Sequence, residues 1–140
     1  MNDADISLIE SSLRVSLPED YKEFLVRHAE EVRRIKTKLP LRAVLWTDSD
    51  EIVSENKLAR RLSSVMKIGT KPWPKNYLVV GTNGAGDYWF IDVDVSEPGL
   101  WFWSHEEENI ARHNLTLADY LAELRADAQE PETWVGQFLQ

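Results

Sequence analysis

The sequence predicts an α+β fold in one domain, a central antiparallel β-meander packed by N-terminal and C-terminal helices. Three observations carry this. Helical periodicity dominates the first 60 or so residues, as in Ile6, Ile9 and Leu13. The middle of the chain changes to short apolar runs separated by Gly- and Pro-rich turns, the pattern of hairpins. Helical periodicity then returns at Leu117, Tyr120, Leu121 and Leu124. Helices outside and strands inside, with no alternation of the two, point to α+β rather than to a parallel α/β sheet. A length of 140 residues suits one core better than two, so residues 1–140 are read as a single domain.

Residues near 4–14 form the first amphipathic helix, with Asn2 or Asp3 as its cap. A second helix starts in Leu17-Pro18-Glu19-Asp20-Tyr21, where a proline is tolerated and two acids favour the helix dipole. Tyr21, Phe24, Leu25 and His28 share one face, and Val32 and Ile35 carry the stripe onward. Ala43–Thr47 reads as a strand. Asp48 with Glu51 opens a further helix in the manner of a capping box, with Ile52, Leu58 and Leu62 apolar. A short strand is expected at Val65–Ile68, after which Lys71-Pro72-Trp73-Pro74 breaks the regular pattern.

Leu78–Thr82 and Tyr88–Val93 make a hairpin about a turn rich in Gly81, Gly84 and Gly86, because glycine and asparagine reach the positive φ such turns require. Ser96-Glu97-Pro98-Gly99 supplies the next turn and Leu100–Ser104 the next strand. Thr116 caps the helix that begins at Leu117, with Asp119 at its third position, and Pro131 starts a last short helix bearing Trp134, Val135 and Phe138.

Composition bounds the chemistry. Net charge is −8, from 24 acids against 16 bases, which disfavours a nucleic-acid partner because phosphate binding needs a basic surface. The charge serves either solubility or attraction of a basic protein. The chain has no cysteine, so disulfides and thiolate chemistry are excluded. No apolar run reaches the roughly 20 residues of a membrane span, and the acidic start lacks the basic region of a signal peptide. A cytoplasmic protein is expected.

Motif tests fail one by one. The stretch Gly81–Gly86 lacks the Gly-Lys-Ser/Thr ending of a phosphate loop and joins strand to strand. Asp92-x-Asp94-x-Ser96 opens like a calcium loop, yet Glu97 stands where glycine is needed and Trp103 where glutamate is needed. His105-Glu106-Glu107-Glu108 is followed by Asn109 where a zincin helix needs histidine, so the acids read as a solvated face or a helix start. No metal site and no cofactor is expected. A hydrolase using His105 with Glu106 stays open as a minor alternative, with no diagnostic spacing behind it.

The six tryptophans are the remaining signal. On their strands Trp101 and Trp103 share one face and Leu100 and Phe102 the other, and Trp89, Ile91 and Val93 alternate with Tyr88, Phe90 and Asp92. A sheet apolar on both faces is either covered on both or holds one open for a partner.

The order LPEDYKEFL at Leu17–Leu25, YLVVGTNGAGDYWFIDVD at Tyr77–Asp94, GLWFWSHEEE at Gly99–Glu108 and a C-terminal LADYLAEL helix closely resembles the SUKH superfamily. That group includes bacterial immunity proteins against polymorphic toxins and a yeast regulator of cell-wall synthesis. The resemblance spans roughly Ile6 to Leu124. Leu17, Pro18, Tyr21, Phe24 and Leu25 match the helix motif, Gly81, Gly84, Gly86 and Asp87 the glycine-rich turn, and Trp103, His105 and Glu106 the third motif. One departure is that Ala29-Glu30-Glu31-Val32 continues the helix where the family has an Asn-Gly-Gly-like turn. The resemblance implies a SUKH-like α+β module that binds a protein and catalyses nothing. In bacteria it would neutralise a cognate toxin, such as a nuclease, by stoichiometric occlusion; an intracellular regulatory or scaffold domain is the alternative. Asp87, Asp92, Asp94, Trp103, Glu106 and Glu107 are the residues expected to meet a basic toxin domain, since acids and aromatics cluster about the hairpin.

Overall fold

The computed structural model describes residues 1–63 and 65–129. Among them are helices α1 (Asp3–Leu13), α2 (Glu19–Lys38) and α3 (Ser49–Arg61), strands β1 (Lys67–Ile68), β2 (Lys71–Pro72), β3 (Tyr77–Thr82), β4 (Tyr88–Asp92), β5 (Leu100–Ser104) and β6 (Asn109–Asn114), and helix α4 (Leu117–Gln129). β3 to β6 form an antiparallel meander in chain order, and β1 and β2 pair as a separate two-stranded ribbon. The fold is α+β, with helices flanking the meander. The expected helix after Pro131 lies outside the described residues.

The helices follow their sequence signals closely. α1 is closed by a full capping box: the Asn2 side chain accepts from the Asp5 N–H and the Asp5 carboxylate accepts from the Asn2 N–H. α2 runs unbroken through Ala29–Val32 and buries Tyr21, Phe24, Leu25, Val32 and Ile35. In α4 the buried stripe is Leu117, Tyr120, Leu121 and Leu124, and Thr116 caps it through the Asp119 N–H at 3.0 Å.

α3 departs from expectation. Asp48 caps it by accepting from the Asp50 N–H at 2.8 Å, a simple cap rather than a capping box. Its buried positions are Ile52, Asn56 and Ala59, while Leu62 is exposed. The helix turns this face inward because Asn56 bonds the edge of β3. Its amide donates to the Val79 and Ile52 carbonyls and its Oδ1 accepts from the Val79 N–H, each at 2.8 Å.

Ala43–Thr47 is not a strand. It runs beside β3 with one backbone bond, Trp46 N–H to Val80 O at 2.9 Å, while the Leu45 N–H donates to the Tyr120 hydroxyl at 3.0 Å. A side-chain acceptor thus replaces the next rung of a ladder. Of Val65–Ile68 only Lys67–Ile68 pairs, and its partner is Lys71–Pro72, the stretch expected to break the pattern. Proline is admissible there because the ribbon is a pure edge.

The glycines of the hairpin divide by role. Gly84 and Gly86 have φ of +81° and +93° and build the turn. Gly81 lies within β3 instead, where a Cβ would sit 3.0 Å from Leu45 Cδ2, so it permits a close approach rather than a turn. One extra residue bulges from β3 between Val79 and Gly81, and another from β6 opposite Leu100 and Trp101. Both bulges therefore fall on the outer strands, where they increase local twist.

Both faces of the sheet are covered in part. On one, Trp73 stacks edge-on against Tyr77, Phe90 and Trp103 at centroid distances of 5.7, 5.0 and 5.8 Å. On the other, Trp89 packs on Phe102 and His113.

Candidate protein-interaction surface

Hydrogen bonding along the meander puts its connections at two opposite ends, and five of the six expected site residues divide between them, Trp103 lying within β5. At one end the β3–β4 turn meets the β5–β6 turn, carrying Asp87, Glu106 and Glu107. At the other, the β4–β5 turn carries Asp92 and Asp94.

Asp87 is a clamp between two turns. Its Oδ1 accepts from the His105 backbone N–H at 3.0 Å and lies 2.7 Å from His105 Nδ1, and Oδ2 accepts from the Asn83 amide at 2.9 Å. Burial alone would raise its pKa, but these hydrogen bonds and the histidine charge outweigh burial and hold the carboxyl below the ordinary value. His105 is therefore paired with Asp87 and not with Glu106. Gly86 brings the turn so close that a Cβ there would lie 3.2 Å from the His105 ring. Glu106 and Glu107 are exposed in the β5–β6 turn, which Glu108 closes with a left-handed φ of +50°. The row of acids is thus a turn, and β6 after it is a strand that the sequence reading did not include.

Trp103 is 4% exposed and its indole N–H donates to the Lys67 carbonyl at 2.7 Å. It fastens the β1–β2 ribbon to the sheet and offers almost no surface of its own.

The β4–β5 end gathers more. Asp92 Oδ1 accepts from the Asn76 amide at 2.9 Å and the Asp94 N–H at 3.0 Å, which folds the turn and leaves Asp94 exposed. Beside it lies a cleft of about 180 Å³ walled by Tyr77, Phe90 and Trp101, with Asp92, Glu97 and Arg112 at its polar side. Glu97 also lines a second cleft, of about 460 Å³, between the starts of α2 and α4. Its floor is Phe24, Leu117 and Leu121, and Asp20 and Glu23 stand at its rim. A bidentate pair of Arg125 with Glu31, at 2.7 and 2.8 Å, ties α4 to α2 alongside it. The hydrogen bonds from Arg125 hold Glu31 below the ordinary carboxylate range despite partial burial.

Glu97, Tyr77, Arg112, Asp20 and Glu23 were not among the residues expected from sequence to meet a partner. Glu97 joins the others by lining both clefts, with Asp20 and Glu23 in the larger and Tyr77 and Arg112 in the smaller, and Arg112 sits on β6, a strand the sequence pattern does not show. A third cleft, of about 420 Å³ beside Thr82–Gly84, is lined by Arg33 and Lys36 instead. There Lys36 Nζ is bound to the Pro40 and Arg42 carbonyls at 2.9 and 2.8 Å, a closure of the α2 C-terminus.

Among the described residues no three His, Asp or Glu side chains gather to hold a metal ion. No helix among them is long and apolar enough to cross a membrane.

Comparison with known proteins gives one match: the family model described as SMI1 / KNR4 family (SUKH-1) matches residues 1–123. Neither the curated proteins nor the solved structures contain a match.

Proposed function

This chain belongs to the SMI1 / KNR4 family (SUKH-1), and from that premise we propose that it is a cytoplasmic immunity protein that binds and occludes a basic toxin domain without turning anything over. Family membership is compatible with a protein-interaction role. The observation that carries the finer reading is the β4–β5 end, where Asp20, Glu23, Asp92 and Glu97 line two clefts that share Glu97 and hold aromatic and aliphatic side chains, with Asp94 exposed in the same turn. Apolar floors supply buried area and an acidic rim supplies steering, a division typical of protein interfaces. In a chain of net charge −8 the rim favours a partner of opposite sign. Occlusion then needs no catalytic group, only a surface that covers the toxin's own site.

The test is co-purification with the product of an adjacent toxin gene at low salt. A one-to-one complex that weakens with salt is expected, and Asp94→Lys with Glu97→Lys should abolish it. No complex with any neighbouring toxin would overturn the proposal. A complex lost instead on Glu106→Lys with Glu107→Lys would move the interface to the opposite end of the sheet.

A further inference from the structure

The geometry points to the smaller cleft at the β4–β5 turn as a receptor for one cationic side chain, arginine before lysine, of a protein partner. This deepens the reading of the acidic end as the interface and rests on it. Tyr77, Phe90 and Trp101 line the cleft, and two carboxylates, Asp92 and Glu97, border it. An aromatic face attracts a cation through its quadrupole, and a nearby carboxylate adds a charge-assisted hydrogen bond.

The molecule already displays half of this recognition within itself. The Arg112 guanidinium lies over the Trp101 ring at 4.7 Å, so one face of that ring is oriented to hold a planar cation and is occupied by one from the chain itself. None of the ion pairs among the described residues includes Arg112, which makes its guanidinium an internal occupant without a carboxylate to hold it. Asp92 spends Oδ1 on Asn76 and Asp94, and no described bond uses Oδ2. Glu97 is exposed and makes no described hydrogen bond, so its carboxylate is available. A volume of about 180 Å³ suits one side chain and not a peptide segment. The partner's arginine would displace Arg112 from Trp101 and gain the carboxylates that Arg112 lacks.

The experiment uses the full chain, with Nα-acetylarginine amide, Nα-acetyl-lysine amide and Nα-acetylglutamate amide as probes. The indole N–H resonances are followed by NMR, Trp101 being identified through Trp101→Phe. The arginine probe should shift the Trp101 signal saturably, with a Kd on the order of millimolar for a single side chain. Arg112→Ala should tighten that binding ~2–5-fold by removing the competitor. Glu97→Gln should weaken it at least two-fold, and that variant breaks no bond of the turn, so loss of fold does not confuse the result. No saturable shift with arginine or lysine would overturn the inference, as would a shift indifferent to Glu97→Gln. A shift by the glutamate probe that vanishes in Arg112→Ala would make this a carboxylate site and overturn it equally. The probes need no toxin, so failure here leaves the immunity reading to its own co-purification test.

Discussion

Asn56→Ala should be the most damaging single truncation outside the apolar core. Asn56 is 3% exposed and its side chain is the only described partner of both the Val79 N–H and the Val79 carbonyl on the outer side of β3. Truncation strands one donor and one acceptor where water is excluded, and each orphaned group costs about 1–3 kcal/mol. Alanine returns only about 0.6 kcal/mol through helix propensity. The net loss is about 1.5–5 kcal/mol, centred near 3, a large share of the 5–15 kcal/mol that holds a typical domain. In urea, with a slope of about 2 kcal/mol/M, the midpoint should fall by roughly 1.5 M at unchanged slope. A fall below about 0.5 M would refute the reasoning, because water or a neighbouring carbonyl would then be replacing the amide. Asn56→Asp gives the sign. It keeps an acceptor for the Val79 N–H but sets a charge against two carbonyls, so burial raises its folded pKa above the unfolded one. Its stability deficit relative to wild type at the same pH should shrink as pH falls and the carboxyl protonates.

Three further outcomes follow from named contacts. Gly99→Ala would place a Cβ 3.0 Å from Asn114 O and 3.2 Å from Leu115 O, both backbone atoms that cannot swing away; a melt should show a loss of about 1–3 kcal/mol, and an unchanged Tm would mean that the β4–β5 turn can shift bodily. Asp87→Asn removes a carboxyl held below its ordinary pKa, so wild-type stability from this group is present above the unfolded value and lost as pH falls through the folded one. The difference between the two proteins should be no more than about 1 kcal/mol at neutral pH and vanish in acid; a difference that persists in acid would rule out the ionised clamp. Tyr120→Phe deprives the Leu45 N–H of its acceptor and should cost about 1–2 kcal/mol. Burial pushes the Tyr120 hydroxyl up to about 12 although the Leu45 N–H opposes this, so the wild type should lose stability as pH rises from about 10 through about 12, with a shallower alkaline slope in the variant.

The helices were legible in the sequence because each carries local chemistry that needs no tertiary context. Asn2 ahead of α1, the Pro18-Glu19-Asp20 start and Thr116 with Asp119 are all decided within one turn, and the structure uses each of them. The hairpin and β5 were legible from alternation and turn residues. β6 was not, because Asn109–Asn114 has one half-buried apolar residue, Ile110, and its other side chains gain nothing from burial that a pattern could reveal. Its existence is owed to pairing with β5, a non-local term. The same blindness applied to Leu62 and Asn56. Hydrophobicity places Leu62 inward and Asn56 outward, whereas two hydrogen bonds to the β3 edge and one to the Ile52 carbonyl of its own helix reverse the order. The acids around the hairpin were found but not sorted, since sequence proximity cannot say which end of a meander a turn occupies.

That sorting bears on how a partner can be recognised at all. A sheet edge invites a partner's strand to add to it through backbone groups. In this chain the β3 edge is already taken. Asn56 holds both polar groups of Val79, Trp46 N–H holds the Val80 carbonyl, and the Trp73 indole N–H holds the Tyr77 carbonyl at 3.1 Å. A bulge at Val79–Gly81 further spoils the register an added strand would need. With that edge closed from Tyr77 to Val80, strand addition at β3 would have to break a buried network costing several kcal/mol. Recognition through side chains at the end of the sheet carries no such cost. In the proposed reading the acidic rim and aromatic cleft beside Glu97 are the less costly contact, and the Asn56 bonds that stabilise the fold also close the β3 edge to an added strand.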